Sequence, residues 1–104
     1  EYRRQLQMCI RDRVIAARQI AAARFADESW NLNSEIPPRA LRSKYQPERA
    51  AMNFLHDELE RERITARGLH KIIRTSWTIA DLKGIARPTI AEVEESYRLR
   101  EGIE

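Results

Sequence analysis

The amino-acid sequence predicts an all-α protein, a small bundle of about four helices with a long loop between the first two. Apolar residues recur at spacings of three and four in four separate segments, which is the periodicity of helices that pack on one face. No segment alternates apolar and polar residues as a strand does. Helix-capping residues stand at several segment ends. A length of 104 residues allows one small domain with a single modest core.

The first predicted helix covers about residues 14–26, a segment rich in alanine and arginine, which are both good helix formers. Its inward face consists of Val14, Ala17, Ala21 and Phe25. These positions follow one another at helical spacing, so we expect them to pack on the rest of the bundle.

A loop follows from residue 27 to residue 38. Turn-favouring Asp, Ser and Asn residues cluster there, and Pro37-Pro38 forbids a continuing helix. We expect Trp30 and Ile36 to attach this loop to the core, and a short helical turn to follow around residues 39–44.

The second main helix is predicted to begin near Pro47, because proline suits the first helical position. Its buried stripe consists of Ala51, Phe54, Leu55 and Leu59. The charged residues from 57 to 63, Glu58 among them, are expected to form an ordinary solvated surface rather than an acid–base pair.

The third helix is predicted from residue 66 to about residue 83, with Thr65 as its N-cap and Gly84 as its left-handed C-terminal residue. Its apolar face consists of Leu69, Ile72, Ile73, Ser76, Ile79, Ala80 and Leu82. Thr89 and Glu92 form a capping-box pattern for the fourth helix. The residues of that helix expected to face inward are Ile90, Val93 and Tyr97.

Composition excludes several classes of protein. The chain is 42% hydrophobic and 34% charged, without an apolar run long enough to span a bilayer, so a cytoplasmic protein that does not bind membranes is expected. The single cysteine, Cys9, excludes a disulfide framework. Residues 1–52 carry a net charge of +4 and residues 53–104 a net charge of −1, which permits contact with nucleic acid without requiring it.

Self-contained enzyme signatures are absent. The three glycines cannot build a Walker-type phosphate loop or a dinucleotide-binding loop, so we do not expect this chain to catalyse a reaction alone. His56 and His70 fall on different predicted helices without a matching set of ligands, and surface positions suit them better than a metal site.

The start of the third helix is the most informative segment. Arg67 lies in the first turn, where a cation opposes the helix dipole, while the free N–H groups there attract anions. Thr65, Arg67 and these N–H groups could together bind a phosphate. The alternative is a surface arginine that happens to lie early in a helix.

A second set of basic residues could contact a nucleic acid or an acidic partner. Arg67, Lys71, Arg74 and Thr78 share one stripe of the third helix, and Arg18 and Arg24 lie on the first helix. A free-standing helical nucleic-acid-binding module would use these cations, with Trp30 and Trp77 as base-stacking platforms. The alternative is a solvated face, with the tryptophans in the core.

Residues 65–74, followed by Thr78-Ile79-Ala80-Asp81-Leu82, resemble the C-terminal domain of Mg-chelatase-like AAA+ ATPases of the ComM/YifB group. The resemblance covers about residues 14–100. The chain departs from the family pattern in three places. Thr65 replaces a serine, Trp77 replaces an arginine, and Tyr97 stands one residue late.

The resemblance implies the helical lid of an AAA+ ATPase, with Arg67 as the sensor-2-like residue that contacts the nucleotide's terminal phosphates. The implied partners are the AAA+ core domain of the same or a neighbouring subunit, other subunits of a homo-oligomeric ring, and DNA handled during competence or branch migration. ATP and Mg²⁺ are then cofactors of the full-length protein only. None is expected for this chain alone.

Residues 1–13 have a separate interpretation. Gln7–Arg13, when back-translated, fit the transposon end used in common sequencing-library kits, and residues 2–6 resemble the end of the family's ATPase core. We therefore expect residues 1–13 to combine an assembly artefact with a remnant of the core, and residues 14–104 to form the helical domain. The alternative is an ordinary basic start of a helix.

Overall fold

The longest helix after the first one organises the domain. The computed structural model describes the backbone of residues 2–100 and the side chains of residues 10–100. The helices are α1 (Tyr2–Arg24), α2 (Pro38–Leu41), α3 (Arg49–Glu60), α4 (Ala66–Lys83) and α5 (Ile90–Arg100), with a 3₁₀ turn at Asn33–Glu35. Helix α4 contacts all of the other elements. The described residues contain no strand, so the all-α prediction is confirmed.

Both ends of α4 are capped as predicted. The backbone N–H of Gly68 donates to Thr65 Oγ1 at 3.0 Å, which satisfies one of the free donors of the first turn. At the other end Gly84 adopts φ 74°, the left-handed conformation that glycine reaches without a steric penalty. The N–H of Ile85 then donates to Ala80 O at 2.8 Å and closes the helix end.

The core lies between α4 and the elements around it. It is formed by Ala21, Phe25, Ile36, Leu41, Tyr45, Ala51, Met52, Leu55, Leu69, Ile72, Ile73, Trp77 and Val93. Trp77 is 1% exposed, and its Nε1 donates to Tyr45 O at 2.9 Å, so it fills the core rather than offering a stacking platform. Trp30 packs against this cluster, and Ile36 lies within it, so the expected attachment of the first loop is confirmed.

Helix α1 begins earlier than predicted, because the helical backbone includes residues 7–13. Among the α1 residues whose side chains are described, which begin at residue 10, the first buried one is Ala17. Val14 is 37% exposed, so its expected burial was wrong. A helical backbone is compatible with either interpretation of residues 7–13, and the side chain of Cys9 lies outside the described residues.

Helix α3 starts two residues after Pro47, so the predicted place of this proline at the first helical position was wrong. Glu48, the residue before the helix, has extended backbone, and its N–H donates to Pro88 O at 2.9 Å. This pairing keeps residue 48 out of the helix. Pro88 is also fully buried, and Ile90 beyond it is 40% exposed, which corrects the expected inward position of Ile90.

Candidate functional site

A tight turn between α3 and α4 precedes the candidate phosphate-binding residues Thr65 and Arg67. Glu62 adopts a left-handed backbone with φ 60°, and the N–H of Arg63 returns to Glu58 O at 2.9 Å. Thr65 follows in extended conformation, so its side chain can cap α4. The turn therefore fixes where α4 begins, and with it the place of Arg67 in the first turn of the helix.

The first turn of α4 retains free hydrogen-bond donors. The side-chain oxygen of Thr65 accepts a hydrogen bond from the N–H of Gly68, and its carbonyl oxygen accepts one from the N–H of Leu69 at 2.8 Å. The N–H groups of Ala66 and Arg67 have no partner among the described residues. Arg67 is exposed, and within the same part of the chain no carboxylate pairs with its guanidinium. The first turn of α4 thus contains two free N–H groups and an exposed arginine whose guanidinium has no carboxylate partner among the described residues.

A second arginine, which sequence reasoning missed, lies across the same turn. A Cβ added at Gly68 would meet Arg100 Nε at 3.2 Å and Arg100 Nη2 at 3.3 Å. Glycine inside a helix costs about 1 kcal/mol relative to alanine. A glycine at the third position of α4 was therefore the one sign in the sequence that another group approaches the helix backbone there. The glycine gives the guanidinium of Arg100 room to approach the α4 backbone.

Arg24 is held inside the domain. Both of its terminal nitrogens donate to the carboxylate of Asp81, and Nη1 also donates to Asn33 Oδ1 at 3.1 Å. Its guanidinium carbon lies 4.4 Å from the centroid of the Trp77 ring. The side chain is only 13% exposed, so Arg24 joins α1 to α4 and does not belong to the exposed basic surface.

The other residues of the predicted basic set divide into two groups. Arg74 Nε donates to Ile36 O at 2.9 Å, and Thr78 Oγ1 accepts from Asn33 Nδ2 at 3.2 Å, so both support the first loop. Lys71 is exposed on α4, whereas Arg18 is exposed on α1 beside a separate groove of about 370 Å³. The structure therefore does not gather the six predicted residues into one site.

Glu58 corrects the expectation of an ordinary charged surface. It is 9% exposed, and it accepts from Arg63 Nε at 3.1 Å and from Tyr97 Oη at 2.7 Å. This carboxylate links α3, the turn and α5. Its role in the fold is to support the segment that precedes Thr65.

The two histidines line one groove of about 420 Å³ between α3 and α4. His56 is exposed and His70 is half-buried. Burial, together with the charges of Arg74 and Arg42, lowers the pKa of His70. The described residues contain no group of three His, Cys, Asp or Glu side chains that could hold a metal ion.

Residues 7–100 match the family described as magnesium chelatase, subunit ChlI C-terminal. The match covers most of the chain, so the chain belongs to this family and is a C-terminal domain of the Mg-chelatase-like AAA+ class. The motifs between residues 65 and 82 had indicated this class.

Its relatives include uncharacterized proteins of Mycobacterium tuberculosis and Mycobacterium bovis. Each is 36% identical to the chain over 92 residues, which is 88% of this chain. The chain spans about a fifth of these relatives, since the aligned part is 18% of each. No solved structure matches the chain. Among the described helices, none has both the length and the apolar character needed to cross a membrane.

Proposed function

We propose that this chain is the lid domain of a Mg-chelatase-like AAA+ ATPase of the ComM/YifB group, and that Arg67 acts as its sensor-2-like residue. The observation that carries the proposal is that the first turn of α4 contains both the exposed Arg67, which has no carboxylate partner, and two unpaired N–H groups. Thr65 supports the site by capping the helix.

The chemistry of this helix end suits phosphate. A guanidinium donates two parallel hydrogen bonds and stays charged at any physiological pH, and helix N-terminal N–H groups add further donors. In phosphoryl transfer, such a group stabilises charge on the transferred phosphate oxygens. ATP and Mg²⁺ would be bound by the AAA+ core domain of the same or a neighbouring subunit, in a homo-oligomeric ring.

The test uses the complete protein that contains this chain. We expect Arg67→Ala to lower the turnover number for ATP by about 100-fold or more, because a transition-state donor is lost. Arg67→Lys should restore little, since an ammonium cannot make the paired contact. Lys71→Ala, one helical turn away and also exposed, is the matched control and should leave turnover unchanged. Normal turnover in Arg67→Ala would refute the role.

The resemblance further suggests that the ring remodels DNA, as in competence or branch migration. Branched DNA supplied to the complete protein with ATP tests this part of the proposal. Movement of the DNA branch point that depends on ATP and is lost in Arg67→Ala would support it. A rate of ATP hydrolysis that does not change when DNA is added would favour another substrate.

A free-standing nucleic-acid-binding module is the second candidate. One observation favours it: Arg67 and Lys71 lie on the same stripe of α4, and neither has a partner among the described residues. The chain alone should then bind duplex DNA with an affinity that falls steeply with salt. Absence of binding at low salt would remove this candidate.

A further inference from the structure

The groove that His56 and His70 line runs along α4 from Ala66 and so adjoins the start of that helix, but Arg67 is not among its lining residues. Its floor is apolar and consists of Leu41, Met52, Leu69 and Ile73. At about 420 Å³ it has the size of ligand-binding clefts in general, which run from roughly 300 to 1,000 Å³. Its lining is therefore large enough to receive apolar side chains from another molecule.

Two helices line the groove over similar lengths. Helix α3 contributes Met52, His56 and Leu59, which are positions i, i+4 and i+7. Helix α4 contributes residues between Ala66 and Ile73, which are also seven positions apart. Seven positions span about 10 Å at 1.5 Å per residue. An amphipathic helix that presents apolar side chains at i, i+4 and i+7 covers the same length.

The lining of the groove includes a cation and no carboxylate. Arg42 supplies the positive charge, the imidazoles of His56 and His70 add polar groups, and no Asp or Glu is among the lining residues. Arg42 is exposed, and within the described residues no carboxylate pairs with its side chain. The other described grooves differ, because they include Asp81, Glu28 or Glu58 and Glu94. The charge of this groove therefore complements an anionic partner.

We propose that this groove is a docking site for an acidic amphipathic helix, whose apolar side chains occupy the floor while its carboxylates face Arg42 and the two histidines. The proposal is independent of the role of Arg67, because Arg67 is not among the lining residues of the groove and the docking of a helix needs no nucleotide.

The test titrates the ¹⁵N-labelled chain with a peptide of about 14 residues that carries leucines at i, i+4 and i+7 and glutamates elsewhere. We expect chemical-shift changes at His56, His70 and the floor residues. The same peptide with lysines in place of glutamates should bind at least about threefold more weakly, because the charge contacts are reversed.

Matched variants locate the contact. Arg42→Glu should weaken the acidic peptide at least about threefold, whereas Arg18→Glu, with the same charge change beside the other groove, should not. Circular dichroism checks that both variants are folded. If Arg42→Glu does not fold, the comparison of the two peptides on the unaltered chain decides.

Three results would overturn the proposal. They are equal binding of the acidic and lysine peptides, no shift changes up to about 1 mM peptide, and shifts confined to the Arg18 groove. A fourth result would also reject the proposal. If duplex DNA displaced the peptide and shifted Arg67, Lys71 and Arg74 but not the floor, the peptide would bind the basic stripe of α4 and not the groove.

Discussion

Arg24 and Asp81 show how a single pair of residues can unite distant parts of this chain. They are 57 positions apart, and Asp81 is 1% exposed while Arg24 is 13% exposed. Asn33 donates to Asp81 Oδ2 at 3.0 Å and joins the first loop to the same carboxylate. A buried charge with this many partners is tolerated only while all of them remain in place.

We expect Asp81→Ala to destabilise the chain by about 3 kcal/mol, because it leaves the Arg24 guanidinium half-buried and unpaired. Chemical denaturation of the chain measures the change. Arg18→Ala, which removes an exposed arginine from α1, the helix that also carries Arg24, should change stability by no more than about 0.5 kcal/mol. Similar losses in the two variants would show that the pair contributes nothing beyond an ordinary surface contact.

At the scale of the element, the caps of α4 and α5 could be predicted because they depend on neighbours within three residues. Thr65, Gly84 and the Thr89–Glu92 box all stand where the sequence places them. The start of α3 could not, since it depends on the contact of Glu48 with Pro88, forty residues away.

The candidate site was predictable to a similar degree. Arg67 follows from the local pattern of the α4 start. By contrast, the burial of Glu58 depends on Tyr97, and the burial of Arg24 depends on Asp81. These contacts join residues that are far apart in sequence, so the spacing of neighbouring residues does not predict them.

Gly68 gives a test at this scale. In an Arg100→Ala background we expect Gly68→Ala to stabilise the chain by about 1 kcal/mol, the usual gain for this change inside a helix. With Arg100 present the gain should be smaller, because the new Cβ would meet its guanidinium at 3.2 Å. A double-mutant cycle by denaturation measures the difference. Equal gains in both backgrounds would show that Arg100 does not occupy this place.

At the scale of the whole molecule, Glu92 couples stability to pH. It accepts from Thr89 N at 2.8 Å and from Lys83 Nζ at 3.1 Å, so it connects the end of α4 to the start of α5. Burial opposes its ionisation, but the hydrogen bonds from Thr89 and Lys83 outweigh burial and lower the pKa of Glu92 to about 2.

A carboxyl with a lowered pKa in the folded state stabilises the fold above its ordinary pKa, and this stabilisation is lost as pH falls through the folded value. We therefore expect Glu92 to contribute about 3 kcal/mol at neutral pH and progressively less between about pH 5 and pH 2. Denaturation of the chain and of Glu92→Gln at several pH values measures this. The stability difference between them should shrink over that interval, and a constant difference would contradict the assignment.

The identity of residues 1–13 also belongs to this scale. The genomic DNA that encodes the chain tests the interpretation of residues 7–13 as an assembly artefact. A coding sequence that differs from the transposon end would establish them as native. The same reading frame, followed upstream, should encode a Walker A loop if the lid assignment is correct.

The arrangement around α4 has a mechanical consequence. An 18-residue helix is about 27 Å long, with Arg67 near one extremity and the Arg24–Asp81 pair near the other. Because α4 packs against all the other elements, its two extremities are tied to the same rigid body, and a rotation of the domain carries both of them together.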